Sequence, residues 1–345
     1  MELSNLDLIE ILLGKGEFLA LSRNSAYLFS QPFRFDIGQH TVVKVVAAGV
    51  ISFEPKQASN KDIILSCGIH GNETAPIEIC DALVQDILLQ KILVTQRVLV
   101  IFGNLRSMDV AQRFVEENMN RLFSLGHDNK CNNYERSRAR LLEQAVENFY
   151  LSAEPDRERL HYDLHTAIRT SKNDKFAVYP FLHGKPWSKA QLQILLACGV
   201  NTILLSGNPT TTFSYFSSIK FAAHAFTIEL GKVKPFGEND MGQFQQVVST
   251  LRLLVSSHNL KCKEFAEEDF FIFKVNQVIN KGQSDFTLNF PDDLANFSDF
   301  PKGHLLAFES GCEYRAQYDG EAIVFPNAQV EIGQRALLTV IPTKI

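Results

Sequence analysis

The sequence predicts an α/β protein whose sheet is covered by helices on both faces and is followed by a smaller all-β unit. Three observations carry that reading. The unbroken apolar run Ile63-Ile64-Leu65 hands over to a helix near Pro76, and Val98 to Phe102 forms the next apolar strand, so strand, helix and strand succeed one another. Such a unit is expected to be parallel and right-handed. Further strand-like runs at His161 to Thr166, Phe176 to Tyr179, Thr202 to Leu205 and Phe221 to Leu230 alternate with helices, giving six or so strands. Beyond His258 helical periodicity fades into short apolar runs separated by Gly, Pro, Asn and Asp turns.

Taken in order, Leu6 to Leu13 reads as a short helix and Thr41 to Val50 as a β-rich segment. Pro76 suits the first turn of a helix, and Cys80, Leu83, Val84, Ile87 and Leu88 recur at three- and four-residue steps as one helical face requires. Past Asn104 a polar stretch through Arg106, Arg113, Glu116, Glu117, Asn118, Asn120 and Arg121 reads as a long ordered loop above the sheet. Arg136 to Tyr150 reads as a helix. In the strand after it, alternation puts His161, Asp163 and His165 on one side and Tyr162 and Leu164 on the other, with His165 at the carboxyl end. A helix from Ser188 to Cys198 is ended by Gly199, and Glu238 to His258 reads as a closing helix. Phe271 to Val275, Phe286 to Leu288, His304 to Phe308, Ala322 to Phe325 and Arg335 to Ile341 are the strands of the β-rich tail. Two domains are therefore expected, residues 1–258 and 259–345, with no internal repeat, low-complexity tract or flexible linker.

The chain of 345 residues is 45% apolar and 21% charged, an ordinary globular composition. A net charge of −5 argues against nucleic acid or an anionic membrane as the main partner, since both reward a basic face. Glu2, Asp7 and Glu10 stand where a secretory leader would be basic, and no apolar run approaches membrane-spanning length. The six cysteines, Cys67, Cys80, Cys131, Cys198, Cys262 and Cys312, show no CxxC pairing. A reducing, cytoplasmic setting is expected.

Chemistry gathers where the first buried strand meets its helix. His70 and Glu73 are separated by two residues on a loop that Gly71 is expected to bend, and both side chains could reach one metal ion. The spacing alone is common, and a surface turn with a solvated Glu is the plainer reading. Its place beyond the carboxyl end of a strand, where ligands of open α/β sheets bind, favours a site. A catalytic zinc takes three protein ligands and keeps one position open, and His70, Glu73 and His165 would supply that set. Asp163 either orients the His165 ring or bonds backbone. The water that such a metal activates needs a base, and Glu229 is the candidate, closing the apolar run Ala225-Phe226-Thr227-Ile228. A rim pair with Lys232 or Lys234 is its alternative, while His224 reads as a core histidine. Arg113 and Arg121, with Asn120, lie in a polar loop after a strand, where a guanidinium could hold a carboxylate through two parallel bonds or simply be solvated.

These residues carry a resemblance. His70-Gly71-Asn72-Glu73, the loop from Arg113 to Asn120-Arg121, Asp163-Leu164-His165-Thr166 and Ile228-Glu229-Leu230-Gly231 together resemble the succinylglutamate desuccinylase/aspartoacylase family of zinc hydrolases, relatives of the zinc carboxypeptidases. Order and spacing match over most of residues 63 to 240, and the β-rich tail fits the family's C-terminal domain. Within the family, the segment His165 to Arg169 and the overall length are most similar to the desuccinylases.

The resemblance implies a zinc-carboxypeptidase-like mixed sheet and one Zn2+ per chain, bound by His70, Glu73 and His165, with Glu229 acting on the activated water. It implies that Arg113 polarises the scissile carbonyl and that Asn120 and Arg121 hold a carboxylate of the amino-acid part. Arg169 or Lys232 is the candidate for the succinyl end. The implied reaction is hydrolysis of the small molecule N-succinyl-L-glutamate to succinate and glutamate, in arginine breakdown through succinylated intermediates. A deacylase of another N-acyl amino acid, a carboxypeptidase and a metal-stabilised binding protein are the competing readings. Oligomeric state is not legible in the sequence.

Overall fold

Every residue of the central strands Lys61–Cys67, Arg97–Phe102 and Glu158–Ala167 is buried or nearly so, which only a sheet sandwiched between helices allows. The computed structural model describes residues 4–123 and 133–345, so Glu2 and Cys131 lie outside the described residues. The chain opens with α1 (Asn5–Lys15), α2 (Phe18–Asn24) and the antiparallel strands β1 (Phe33–Ile37), β2 (Thr41–Ala47) and β3 (Val50–Pro55). It continues through β4 (Lys61–Cys67), α3 (Thr74–Leu88), β5 (Arg97–Phe102), the short α4 (Leu105–Asp109), α5 (Tyr134–Leu151) and β6 (Glu158–Ala167). Next come β7 (Phe176–Tyr179), α6 (Lys189–Ala197), β8 (Thr202–Leu205), α7 (Phe213–Phe221), β9 (His224–Lys232) and α8 (Gln245–Ser256). The tail holds β10 (Phe271–Asn280), β11 (Thr287–Leu288), β12 (Asp299–Phe300), β13 (Leu305–Glu309), β14 (Cys312–Arg315), β15 (Glu321–Val324) and β16 (Arg335–Pro342).

Among the described residues, thirteen strands form one mixed sheet in the order β1-β2-β3-β5-β4-β6-β9-β7-β8-β10-β16-β15-β12, and β11-β13-β14 form a second. β5, β4, β6 and β9 are parallel neighbours. Period-2 alternation divides their side chains between two cores. Ile63, Leu65, Cys67, Tyr162 and Leu164 meet α1, α3, α6 and α8 on one face, while Ile64, Leu99 and Ile101 meet α5 and α7 on the other. The expected α/β sheet covered on both faces is the observed one.

Several expectations need correction. Phe221 ends α7 and does not open a strand. α7 was not expected because seven of its nine residues are buried, so it lacks the one-sided stripe that marks a surface helix. The closing helix begins at Gln245; Glu238 to Phe244 is instead loop and a 3-10 turn, Met241–Phe244, which Asp240 caps by accepting from Gly242 N. The polar loop after Asn104 contains α4 and a second 3-10 turn, Met119–Arg121. The tail is divided between the two sheets: β11, β13 and β14 form the second, while β10 pairs in parallel with β8 through Phe271↔Thr202 to Lys274↔Leu205 and joins β16, β15 and β12 to the main sheet. No helix among the described residues is long and apolar enough to cross a membrane.

One core-facing helix carries a misplaced charge. Burial pushes the Asp81 carboxyl of α3 up to about 6, against the pull of the Arg23 guanidinium. Because the folded state holds this proton more tightly than the unfolded chain, Asp81 costs stability as pH rises towards and through 6. Asp81→Asn is expected to stabilise the protein at pH 8 by roughly 1–2 kcal/mol, with the gain shrinking at pH 5, as urea midpoints at the two values would report.

Candidate active site

β4, β6 and β9 are neighbours in the middle of the sheet, and functional side chains stand at or just beyond their carboxyl ends. The loop leaving β4 carries His70 and Glu73, β6 carries His165, and β9 carries Glu229 in register with it, His165↔Glu229. Glu73 occupies the N-cap position of α3, yet its side chain makes no capping hydrogen bond. It turns into the crevice instead. His70 Nδ1 lies 2.9 Å from Glu73 Oε1 and His165 Nδ1 lies 2.8 Å from Glu73 Oε2. One ligand atom from each of the three lies within 4.8 Å of the others, and all three residues are buried.

The outer nitrogens of both rings are spoken for. His70 Nε2 lies 3.0 Å from Asn118 Oδ1, an oxygen that also accepts from Asn120 N, and His165 Nε2 lies 2.9 Å from Asp163 Oδ2. An amide oxygen and a carboxylate can only accept, so both contacts suit a proton on Nε2 and leave each Nδ1 facing Glu73, whose carboxylate also only accepts; a cation between the three would take the place of a proton on Nδ1. Two imidazole nitrogens and a carboxylate oriented in this way are the donor set of a divalent cation such as zinc. Asp163 is itself held, since Ser66 Oγ donates to its Oδ1 at 2.5 Å. The same hydroxyl lies 2.8 Å from His161 Nε2, and His161 Nδ1 lies 2.7 Å from Ser217 Oγ. Burial lowers the His161 pKa to about 4, leaving it neutral.

Electrostatics distinguish the two carboxylates. Burial alone would raise Glu73, but His70, His165 and Arg113 outweigh it and hold the carboxyl well below the usual range. Glu229 is pushed the other way, up to about 7, first by burial and then by the negative charge of Glu73, with His165 and Arg113 opposing. Its Oε2 is buried with no hydrogen-bond partner among the described residues. No ion pair to Lys232 or Lys234 is present among them. His224, expected in the core, opens β9 and is only half-buried.

The polar loop overhangs this cluster. Arg113 Nη1 donates to Glu73 Oε1 at 2.6 Å, and Gly71 N donates to the Arg113 carbonyl at 3.2 Å. The fully buried Glu135 pins the same loop by accepting from Val115 N at 2.7 Å and Asn104 Nδ2 at 3.1 Å. Asn120 Oδ1 accepts from Phe213 N at 3.0 Å, and Arg121 Nη1 donates to the Asn120 carbonyl at 2.8 Å. Arg169, four residues past His165, donates from Nε to the Pro326 carbonyl at 2.9 Å; Lys232 is exposed at the end of β9. Sequence reasoning missed the part played by Asn118 and the chain Ser66-His161-Ser217, because a polar loop residue and buried hydroxyls carry no periodic signal.

A mixed α/β sheet thus carries a buried His, Glu, His cluster that could hold a metal ion, with Glu229 beside it. The model of the succinylglutamate desuccinylase/aspartoacylase catalytic domain matches residues 59–255, and that of the AstE/AspA barrel-sandwich hybrid domain matches residues 268–343. The chain is 60% identical over 341 residues to a protein of Pseudoalteromonas atlantica named succinylglutamate desuccinylase, covering 98% of this chain and 97% of that one. It is similar to the crystal structure of the succinylglutamate desuccinylase of Chromobacterium violaceum, with 35% identity, a TM-score of 0.84 and coverage of 95% and 98% of the two chains. The X-ray structure of that from Vibrio parahaemolyticus gives 34% identity and a TM-score of 0.85, with 94% of each chain covered. The chain belongs to the succinylglutamate desuccinylase/aspartoacylase family.

Two substitutions probe how the cluster is built. Gly71 was expected to serve by bending the loop, but the left-handed residue is Gly68, at φ +63, and Gly71 matters for close approach. A Cβ there would sit 2.2 Å from the Ser107 carbonyl carbon and 2.3 Å from Met108 N. Gly71→Ala is expected to separate the two loops, costing roughly 1–3 kcal/mol and lowering metal uptake measured by atomic absorption. Asp163→Asn, which weakens the hold on His165 Nε2, is expected to reduce the affinity for any divalent cation that this cluster takes about 10- to 100-fold in a chelator competition.

Proposed function

We propose that this protein is a zinc-dependent amide hydrolase that converts N-succinyl-L-glutamate and water to succinate and L-glutamate, within arginine catabolism through succinylated intermediates. The observation that carries the proposal is the buried, unpartnered Glu229 Oε2 beside His70, Glu73 and His165, at the ends of three adjacent parallel strands. On this reading those three residues hold one Zn2+ per chain, a Lewis acid that acidifies water and polarises a carbonyl. The names of the relatives supply the acyl group and the amino acid. Residues 1–258 form the catalytic unit and 259–345 the β-rich unit beside it. The setting is cytoplasmic, in keeping with the buried free thiols of Cys67, Cys80 and Cys198.

In this mechanism Glu229 takes a proton from the attacking water as its oxygen bonds to the succinyl carbonyl carbon. The C–N bond then breaks, and the same carboxyl returns the proton to the nitrogen of the departing glutamate. A carboxyl whose pKa stands near 7 is suited to both steps, accepting and releasing a proton near neutral pH. Arg113 exchanges its contact with Glu73 for the carbonyl oxygen that becomes negative. Arg121 and the amide nitrogen of Asn120 hold a glutamyl carboxylate; the Asn120 oxygen, bound to Phe213 N, fixes which way that amide faces. Arg169 faces the succinyl end.

Glu229→Gln is expected to retain about one zinc per chain while kcat falls about 10²- to 10⁴-fold. Retained turnover would remove Glu229 from the reaction. Comparison of kcat/KM on N-succinylglutamate, N-succinylarginine, N-acetylaspartate and a short peptide is expected to favour the first, and the absence of that preference would overturn the substrate assignment.

A further inference from the structure

Two guanidinium groups near the crevice have polar atoms that no described residue satisfies. Arg169 Nη1 and Arg335 Nε are both buried without a hydrogen-bond partner among the described residues. Arg169 reaches a carboxylate only at 4.0 Å, through Nη2 to Asp292 Oδ1, and that side chain is 91% exposed. For Arg335 no ion pair is present among the described residues, and its guanidinium carbon lies 5.7 Å from the centroid of the Phe325 ring. A buried cation left without a counter-charge is costly, so such groups mark a place where a ligand supplies the charge.

Arg335 belongs to the β-rich unit, at the start of β16, but the packing brings it to the catalytic unit. Phe325 follows β15 in a left-handed turn at φ +55 and packs on Phe176 of β7 at 5.6 Å. The carbonyl of the next residue, Pro326, is the acceptor for Arg169 Nε, so the two arginines flank one dipeptide. Asn296 ties the units together here, accepting from Lys172 N at 3.0 Å, donating to the Thr170 carbonyl at 2.9 Å and fixing Phe325 N through its Oδ1 at 2.8 Å. Arg121 feels the same neighbour: after burial, the positive charges of Arg335 and Arg113 draw its pKa down to about 9.

We propose that Arg335, acting with Arg169, binds the terminal carboxylate of a dicarboxylic acyl group, so that the β-rich unit supplies the side chain that reads the acyl end of the substrate. The inference rests on the hydrolase reading above. A succinylated glutamate carries one acyl carboxylate beyond the two of its amino acid, and Arg113, Asn120 and Arg121 are committed to the carbonyl and the glutamyl end. The remaining charge needs a separate partner, and two guanidiniums with unpartnered nitrogens at the junction of the units would supply its N–H donors.

The test measures kcat/KM for N-succinyl-L-glutamate and for N-butyryl-L-glutamate, which puts a methyl group where the acyl carboxylate stands. In Arg335→Gln the preference for the succinyl substrate is expected to fall about 10- to 100-fold, mainly through KM, with little change on the butyryl compound. Arg335→Lys keeps the charge and most of the volume but loses the fork, and its preference is expected to fall by about threefold or more. It decides the question if the Gln variant does not fold. Unchanged preference in either folded variant, or an equal loss on both substrates, would overturn the role. A wild-type enzyme that shows no preference for the succinyl substrate would instead overturn the substrate reading, and this inference with it.

Discussion

The Glu73 carboxylate is the group around which the crevice is assembled. It is 2% exposed, and a charge so far from water persists only if its oxygens are fully engaged. One oxygen meets His70 Nδ1 and Arg113 Nη1, and the other meets His165 Nδ1 and the backbone N–H of Thr166. Those partners come from the end of β4, from the loop after β5 and from the end of β6. A single carboxylate thereby fixes three separate pieces of chain to one another. Its diversion from capping α3 shows the local preference yielding to the site, for a helix start ordinarily uses such an oxygen to satisfy its own free N–H groups.

What makes this convergence possible is strand register. Cys67 pairs with Leu164 and Leu164 with Ile228, so β4 ends level with Leu164 and Ile228, and His165 and Glu229 stand side by side just beyond that end. A slip of one residue in β6 would turn His165 and Asp163 towards the core lined by Tyr162 and Leu164, and the site would vanish. The apolar side chains that pack against α3 on one face and α7 on the other are therefore what hold the polar ones in place. Ser66, Asp163 and His161 occupy the polar positions of the same alternation, and their hydroxyl, carboxylate and neutral ring bond one another within it.

How much of this the sequence discloses follows from the range of the interactions. His70, Glu73 and Glu229 are legible because each closes or follows a strongly apolar run, and His165 because it stands at the carboxyl end of an alternating strand. Asp163 is legible for the same reason, two residues back on the His165 side. The β-rich tail is recognisable from its turns, but its continuity with the main sheet is not, since β8 and β10 pair across a long intervening stretch that holds α7, β9 and α8. Asn118 and Glu135 act through hydrogen bonds to segments twenty or more residues away, and no local pattern records a bond of that kind.

The same long-range pairing bears on how substrates are told apart. A second unit joined only by a linker would move relative to the first, and its side chains would be poor rulers. Here the two share a backbone ladder, an isolated bridge between Ser171 and Asn296, and a core in which Phe176 and Leu204 pack with Phe297, Val324 and Leu338. Phe176 is also paired with Glu229 across β7 and β9. The residue opposite the proposed base is thus the one on which Phe297 and Phe325 rest, so the position of Arg335 is referred to that of Glu229 through contiguous packed atoms. On the proposed reading, a ligand that spans from the reacting carbonyl to the β-rich unit would meet side chains held by one shared ladder and core, and its acyl chain would need the length that this spacing allows.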